Sequence, residues 1–270
     1  MKKLVAALAC RNQGSRLYGK PLQNLDIDNG ITILDNIINC LQQISAIEEV
    51  VLGIADGVEN DAFVEYANNN DIKYIRGNEE DVLERLIKCG DISNATDILR
   101  TTSESPFPYF DFIDSAWEQH IKQGNDGTLL DNVIDGCGFE MLTLDALKKS
   151  HAEGEDRHRS ELCTLYIREN KNRFKLEYID PPVKLLRKDI RLTVDYPEDL
   201  VVCRAVYEHF KSFEPNIPLL DVVDFLDRNP QLLRLTSPFC EDGYKAMYLS
   251  LIHISEPTRL LSISYAVFCL

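Results

Sequence analysis

Ala9-Cys10-Arg11-Asn12-Gln13-Gly14-Ser15-Arg16-Leu17-Tyr18-Gly19-Lys20-Pro21-Leu22 follows directly on an apolar run, Leu4 to Leu8. The run reads as a buried first strand and the stretch after it as a glycine-containing loop. In α/β proteins such a loop often holds phosphates, with the ligand at the carboxyl end of the sheet. Three cations, Arg11, Arg16 and Lys20, fall on it. Arg offers planar forks for phosphate oxygens and Lys a point charge, so the cluster suits a polyanion such as a nucleoside triphosphate. A solvated basic loop is the plainer alternative. Gly14 to Lys20 also satisfies G-x-x-x-x-G-K, the opening of a P-loop, but the Ser or Thr needed next to hold Mg²⁺ is Pro21. The P-loop's long helix is missing too, since Asp26 to Gly30 reads as a turn.

Bulk properties narrow the field. The chain has 270 residues, enough for one large α/β domain or a domain with a sizeable insertion. Its net charge of −15 argues against non-specific nucleic-acid binding, which needs a basic surface. An acidic protein that handles a triphosphate must concentrate positive charge locally, which gives the Arg11–Lys20 cluster more weight. The eight cysteines form no C-x-x-C pair, so a zinc knuckle is not expected. The apolar N-terminal run is too short for a signal peptide, and the expected setting is a reducing cytoplasm. Leu249 to Leu270 resembles a translated sequencing-library adaptor, and the natural chain is expected to be cut near Tyr248. Glu256, Pro257 and Arg259 interrupt this tail too often for a membrane span. The fold is therefore read from 1–248 alone.

Strand and helix patterns alternate along those residues. Ile33, Leu34, Ile37, Ile38, Leu41 and Ile44 are at helical spacing. Val50–Ile54, Ile72–Ile75, Ala95–Leu99, Leu129–Ile134 and Phe174–Ile179 read as strands, and Asn60–Asn69 and Asp156–Asn170 as helices. Asn78 is a candidate cap for a helix that begins with Glu79, Glu80 and Asp81. The aromatic run Phe107–Phe112 and Trp117 read as core. Pro197 opens a helix running to about His209, and Leu219–Leu226 forms another. The alternation argues for a mainly parallel sheet with right-handed crossovers.

Three segments carry a family resemblance. The opening loop reads R-x-x-x-x-R-L-x-G-K-x-L, through Arg11, Arg16, Leu17, Gly19, Lys20 and Leu22. Arg76-Gly77-Asn78-Glu79-Glu80-Asp81-Val82-Leu83-Glu84-Arg85 is the second, and Arg191-Leu192-Thr193-Val194-Asp195-Tyr196-Pro197-Glu198-Asp199-Leu200 the third. Together they resemble the cytidylyltransferases that make CMP-activated acidic sugars, the CMP-Kdo and CMP-sialic acid synthetases, and most closely the spore-coat polysaccharide F-type branch. The chain departs from that pattern at Tyr18 (usually Pro), at Gln13-Gly14-Ser15 (usually Gly-Ser-Thr), at Glu104 (Asp in R-x-T-x-D-x-P) and at Leu162 (His in the branch).

The resemblance implies a three-layer, GT-A-like α/β nucleotidyltransferase domain over 1–248. A small β-containing insertion at about 130–185 would cover the sugar site and is a candidate homodimer surface. The implied reaction is CTP plus an acidic sugar giving CMP-sugar and pyrophosphate. Lys20 and Arg16 would carry the catalytic charge, with Arg11, Ser15, Arg16, Lys20 and Arg76 on the nucleotide. Glu140 would meet the sugar, and Glu104 and Asp195 would hold Mg²⁺. Each has a plain alternative: Glu104 as a solvated loop acid, Glu140 as a surface acid, Asp195 as a helix cap, His158 as a solvated histidine. Two other functions stay open. A glycosyltransferase of related fold would use a nucleotide sugar, and a non-catalytic relative would only bind CTP.

Overall fold

The computed structural model describes residues 2–12 and 16–252, the stretch 242–252 by its backbone only. Its strands are β1 (Leu4–Cys10), β2 (Asn24–Asp26), β3 (Ile31–Thr32), β4 (Ile47–Ala55), β5 (Lys73–Gly77), β6 (Asp97–Arg100), β7 (Gly127–Leu130), β8 (Phe139–Thr143) and β9 (Leu176–Tyr178). Seven of them form one sheet in the order β5-β4-β1-β6-β8-β7-β9. The first four run parallel; β8 lies antiparallel to β6 and β7, and β9 is parallel to β7. β2 and β3 form a separate two-stranded ribbon.

Side-chain alternation along β1 builds the three layers. Leu4, Ala6, Leu8 and Cys10 point into one apolar core, Val5 and Ala7 into the other. α1 (Ile33–Gln42) and α2 (Asp61–Asn69) pack on the first face through Ile33, Leu34, Ile37, Leu41 and Phe63. α3 (Val82–Ile92) packs on the second through Leu83, Leu86 and Cys89. α4 (Ile113–Gln123), with Trp117, joins the first core, and α5 (Leu144–Glu153) and α6 (Leu165–Glu169) join the second. The chain closes with α7 (Pro197–Phe210), α8 (Leu219–Arg228) and α9 (Pro230–Ile252), which runs past Tyr248; residues 253–270 lie outside the described residues. Among the described residues, no helix is long and apolar enough to cross a membrane.

β8 and β9, within 130–185, belong to the main sheet. Several local expectations need correction. The helix expected over Asp156–Asn170 is a short 3₁₀ turn, Asp156–His158, followed by α6. His158 and Arg157 both bind Glu169, at 2.8 and 2.5 Å. In an unbroken helix those residues would stand ~17–18 Å from Glu169 along the axis. The ion pairs therefore require the chain to fold back. α3 is capped by Asp81, which accepts from Glu84 N at 2.8 Å, while Asn78 closes the turn before it. The strand expected at Leu129–Ile134 is β7, ending at Leu130. Among the described residues, the Arg191 segment forms no named strand and makes one isolated bridge, Asp135–Arg191.

Candidate active site

The carboxyl ends of β1 and β6 open into a cavity of about 320 Å³. The loop after β1 supplies Arg11, Asn12, Arg16 and Lys20 to its wall. Gly19 closes that loop in a left-handed conformation (φ +59°), with its N–H donating to Asn12 O at 3.2 Å. Asn12 N–H donates to Asn60 Oδ1 at 2.7 Å, and fully buried Asn60 donates in turn to Asp56 O. The loop is thus tied to the end of β4. Ser15, expected at the nucleotide, lies outside the described residues.

Two carboxylates expected from distant sequence meet at this cavity. Val194 N–H donates to Glu104 O at 3.1 Å and Leu192 N–H to Asp135 O at 2.8 Å. Gly136 (φ +93°) permits this approach: a Cβ there would lie 2.6 Å from Thr193 N. Glu104 and Asp195 therefore line the same cavity. Lys20 Nζ sits 2.6 Å from Asp195 Oδ1 and Arg191 Nη2 2.8 Å from Asp195 Oδ2. Burial alone would raise the Asp195 pKa, but Lys20 and Arg191 outweigh it and hold the carboxyl below its ordinary range. Burial pushes Glu104 above its ordinary range, and Asp195 adds to that, with Lys20 offsetting part.

The same residues test whether a divalent ion fits. Among the described residues, no group of three or more His, Cys, Asp or Glu side chains is arranged to hold a metal by itself. A pair of carboxylates with the remaining positions left to phosphate oxygens and water is how Mg²⁺ is commonly held. Glu104, whose neutral form burial and a neighbouring carboxylate favour, would gain a cation there.

Arg191 underpins this arrangement. It is 2% exposed and pairs with Asp135 at 2.7 Å, Asp195 and Asp199 at 3.2 Å. Asp199, rather than Asp195, does the capping: its Oδ2 accepts from Asp195 N and Tyr196 N at 2.9 and 3.0 Å. On the other wall Arg11 pairs with Glu161 and, at 3.8 Å, with Glu79. Arg16 lies over the Tyr196 ring, 4.7 Å from its centroid.

Arg76 is not part of this cavity. Its guanidinium is taken by Asp61 at 2.7 Å and Gly57 O at 2.5 Å. β5 is the sheet edge, and its pleat turns Arg76 toward α2. Glu140 is neither open nor a surface acid. It is 8% exposed and bound by Arg100 at 2.8 Å, Arg168 at 2.7 Å and Thr164 at 2.8 Å. Burial would raise its pKa, but the two guanidinium groups bring it down to about 2. Glu140 still lines a second cavity, about 180 Å³, which shares Arg100, Thr101 and Thr102 with the first. His158 is buried, not solvated, because Glu155 N–H and Glu169 hold both ring nitrogens. Leu162 lines the second cavity.

A family model for cytidylyltransferases matches residues 6–224. The chain belongs to the cytidylyltransferase family. Cytidylyltransferases transfer CMP from CTP, and the cavity belongs to a nucleotidyltransferase. The chain is 30% identical to an uncharacterized protein of Methanocaldococcus jannaschii over 90% of its own length and 98% of that protein's. It is 25% identical to the spore coat polysaccharide biosynthesis protein SpsF of Bacillus subtilis, over 85% and 96% of the two chains. Its fold is similar to that of a cytidylyltransferase from Leptospira borgpetersenii (TM-score 0.76, 22% identity, 86% and 97% covered). It is also similar in fold to a CMP:2-keto-3-deoxy-manno-octonic acid synthetase solved with CTP (TM-score 0.59, 15% identity, 77% and 99% covered).

Arg85, Arg100, Arg168 and Arg191 carry no assigned role in the sequence reading. Three of them stand inside quoted motifs: Arg85 closes the second, Arg191 opens the third and Arg100 opens R-x-T-x-E-x-P. That position was a signal. The burial of Arg85, Arg168 and Arg191, and the half-burial of Arg100, are set only by folding.

Proposed function

We propose that this cytidylyltransferase uses an acidic sugar as its acceptor, joining CMP to a sugar hydroxyl with release of pyrophosphate. The observation that carries the reading is the meeting of Arg11, Arg16 and Lys20, from one loop, with Glu104 and Asp195 at the sheet's carboxyl edge. The likeness to SpsF supports a polysaccharide-precursor acceptor. The contiguous second cavity offers that acceptor a place beside the triphosphate.

In this reading the sugar's anomeric oxygen attacks the α-phosphorus and the bond to the β-phosphate oxygen breaks. Arg16 and Lys20 neutralise charge on the triphosphate and on the departing pyrophosphate. Glu104 and Asp195 are the residues that would hold Mg²⁺, which when bound supplies charge neutralisation at the phosphates. Arg191 keeps Asp195 oriented. Such catalysis is positioning and charge stabilisation, and it needs no covalent nucleophile. Buried thiols fit that economy: Cys10, under the cavity, is pushed up to about 12 by burial.

The test begins with thermal shifts of the protein in CTP, UTP, ATP, GTP and UDP-sugars, each with and without Mg²⁺. CTP at a hundred times its Kd is expected to add about 2.7 kcal/mol of stability. Pyrophosphate release is then measured across acidic sugars. A selective UDP-sugar shift would point to the glycosyltransferase instead. CTP binding with no turnover on any acidic sugar would overturn the acceptor assignment.

A further inference from the structure

Arg85 stands where its helix should be apolar. Val82, Leu83, Leu86 and Cys89 around it build the buried face of α3, yet Arg85 among them is 1% exposed. Its donors are met by main-chain oxygens only. Nη1 donates to Gly53 O at 2.7 Å and Cys10 O at 3.3 Å, and Nη2 to Glu79 O at 3.2 Å; Nε, also buried, has no partner. Carbonyl dipoles satisfy N–H groups without neutralising a charge. Among the described residues no carboxylate pairs with Arg85. Burial pulls its pKa down, but a guanidinium remains charged in proteins.

A buried unpaired charge is costly, and a well-packed apolar side chain is the cheaper occupant of such a place. What distinguishes this place is the cavity whose wall it lines. The other cations there have partners: Lys20 has Asp195, Arg100 has Glu140, Arg11 has Glu161, and exposed Arg16 rests on Tyr196. Among the described residues, Arg85 is the cavity's buried positive charge left without a counter-ion.

We propose that Arg85 is the fixed charge that anchors the nucleotide's polyphosphate, its counter-ion being the phosphate that enters. It acts through its field in a low-dielectric wall and, by gripping the ends of β1 and β4, keeps that field in one place. This rests on the cavity being the CTP site.

The test compares wild type with Arg85→Met and Arg85→Lys in calorimetric titrations with inorganic pyrophosphate, CTP and cytidine at two salt concentrations. Arg85→Met is expected to lose at least ~10-fold in affinity for pyrophosphate and CTP. Its cytidine affinity stays unchanged, and its affinities depend less on salt. Arg85→Lys, which keeps the charge but not the fork, retains pyrophosphate affinity within ~3-fold. Equal losses for cytidine and pyrophosphate, or a Lys variant as weak as the Met variant, would mean a purely structural role and overturn the proposal. If Arg85→Met does not fold, the Lys variant alone decides. Wild type that binds pyrophosphate through Arg85 but shows no preference for CTP would leave the anchor standing and overturn the cytidylyltransfer reading of the cavity. Wild type that binds no pyrophosphate overturns the anchor.

Discussion

Lys20 and Asp195 neutralise each other across the cavity at 2.6 Å, with about a quarter of each side chain exposed. A partly exposed pair of this kind is worth about 1 kcal/mol. Lys20→Ala should therefore leave urea unfolding nearly unchanged while lowering pyrophosphate release by at least ~100-fold, the scale for removing one transition-state charge partner. Turnover within a few-fold of wild type would exclude Lys20 from the reaction. Glu140 is the opposite case, a buried acid whose worth is structural. Glu140→Gln leaves Arg100 without its carboxylate partner, while Arg168 keeps Asp131, and should cost about 3 kcal/mol near neutral pH. Its carboxyl titrates lower in the folded state than in the unfolded chain. The stabilisation is then fully present above the ordinary value of 4.5 and is lost as pH falls toward about 2. The stability gap between wild type and variant should narrow as pH falls from about 4.5 toward about 2; a gap that stays constant would refute the charge account.

At the scale of elements, α9 reaches back to the cavity. Phe239 stacks on Tyr196 with ring centroids 3.9 Å apart, and Arg16 covers the Tyr196 ring as well. Tyr196 directly precedes α7 and follows Asp195, so one aromatic pair couples the C-terminal helix to both the basic loop and the carboxylate. Stacked pairs contribute ~0.5–1.5 kcal/mol beyond their buried area. Phe239→Ala should lower stability by about 1–2 kcal/mol and raise the KM for CTP several-fold with a smaller change in kcat. An unchanged KM would show that Arg16 is positioned without α9. The residues that reveal this coupling are forty apart, and neither has a periodic or motif context that links it to the other. It was not legible in the sequence.

For the molecule as a whole, charge is distributed against its average. The chain carries −15, while the cavity wall gathers Arg11, Arg16, Lys20, Arg85 and Arg100 around three carboxylates, Glu104, Glu161 and Asp195. Salt should then act in two directions. Screening of the self-repelling surface raises thermal stability as NaCl rises from about 10 mM to 0.3 M, while the same screening weakens CTP binding. Parallel changes in melting temperature and CTP affinity would contradict this separation of surface and site.

The sequence alone determined the α/β alternation, the order of the parallel strands' motifs and the basic loop after β1. Each depends on neighbours within a few residues, through side-chain period, glycine backbone freedom and local charge. It also marked Glu104 and Asp195 as a pair through the resemblance. Folding decided the rest. Arg76 left the site because an edge strand turned it to Asp61; Glu140 became an internal counter-ion because β8 set it between two arginines. The stretch after Asp156 folded back because Arg157 and His158 both reach Glu169. Arg85 acquired its significance only when the ends of β1 and β4 closed around it. Partners between 11 and 75 residues apart are set by which surfaces the core brings together, and no local pattern encodes that choice.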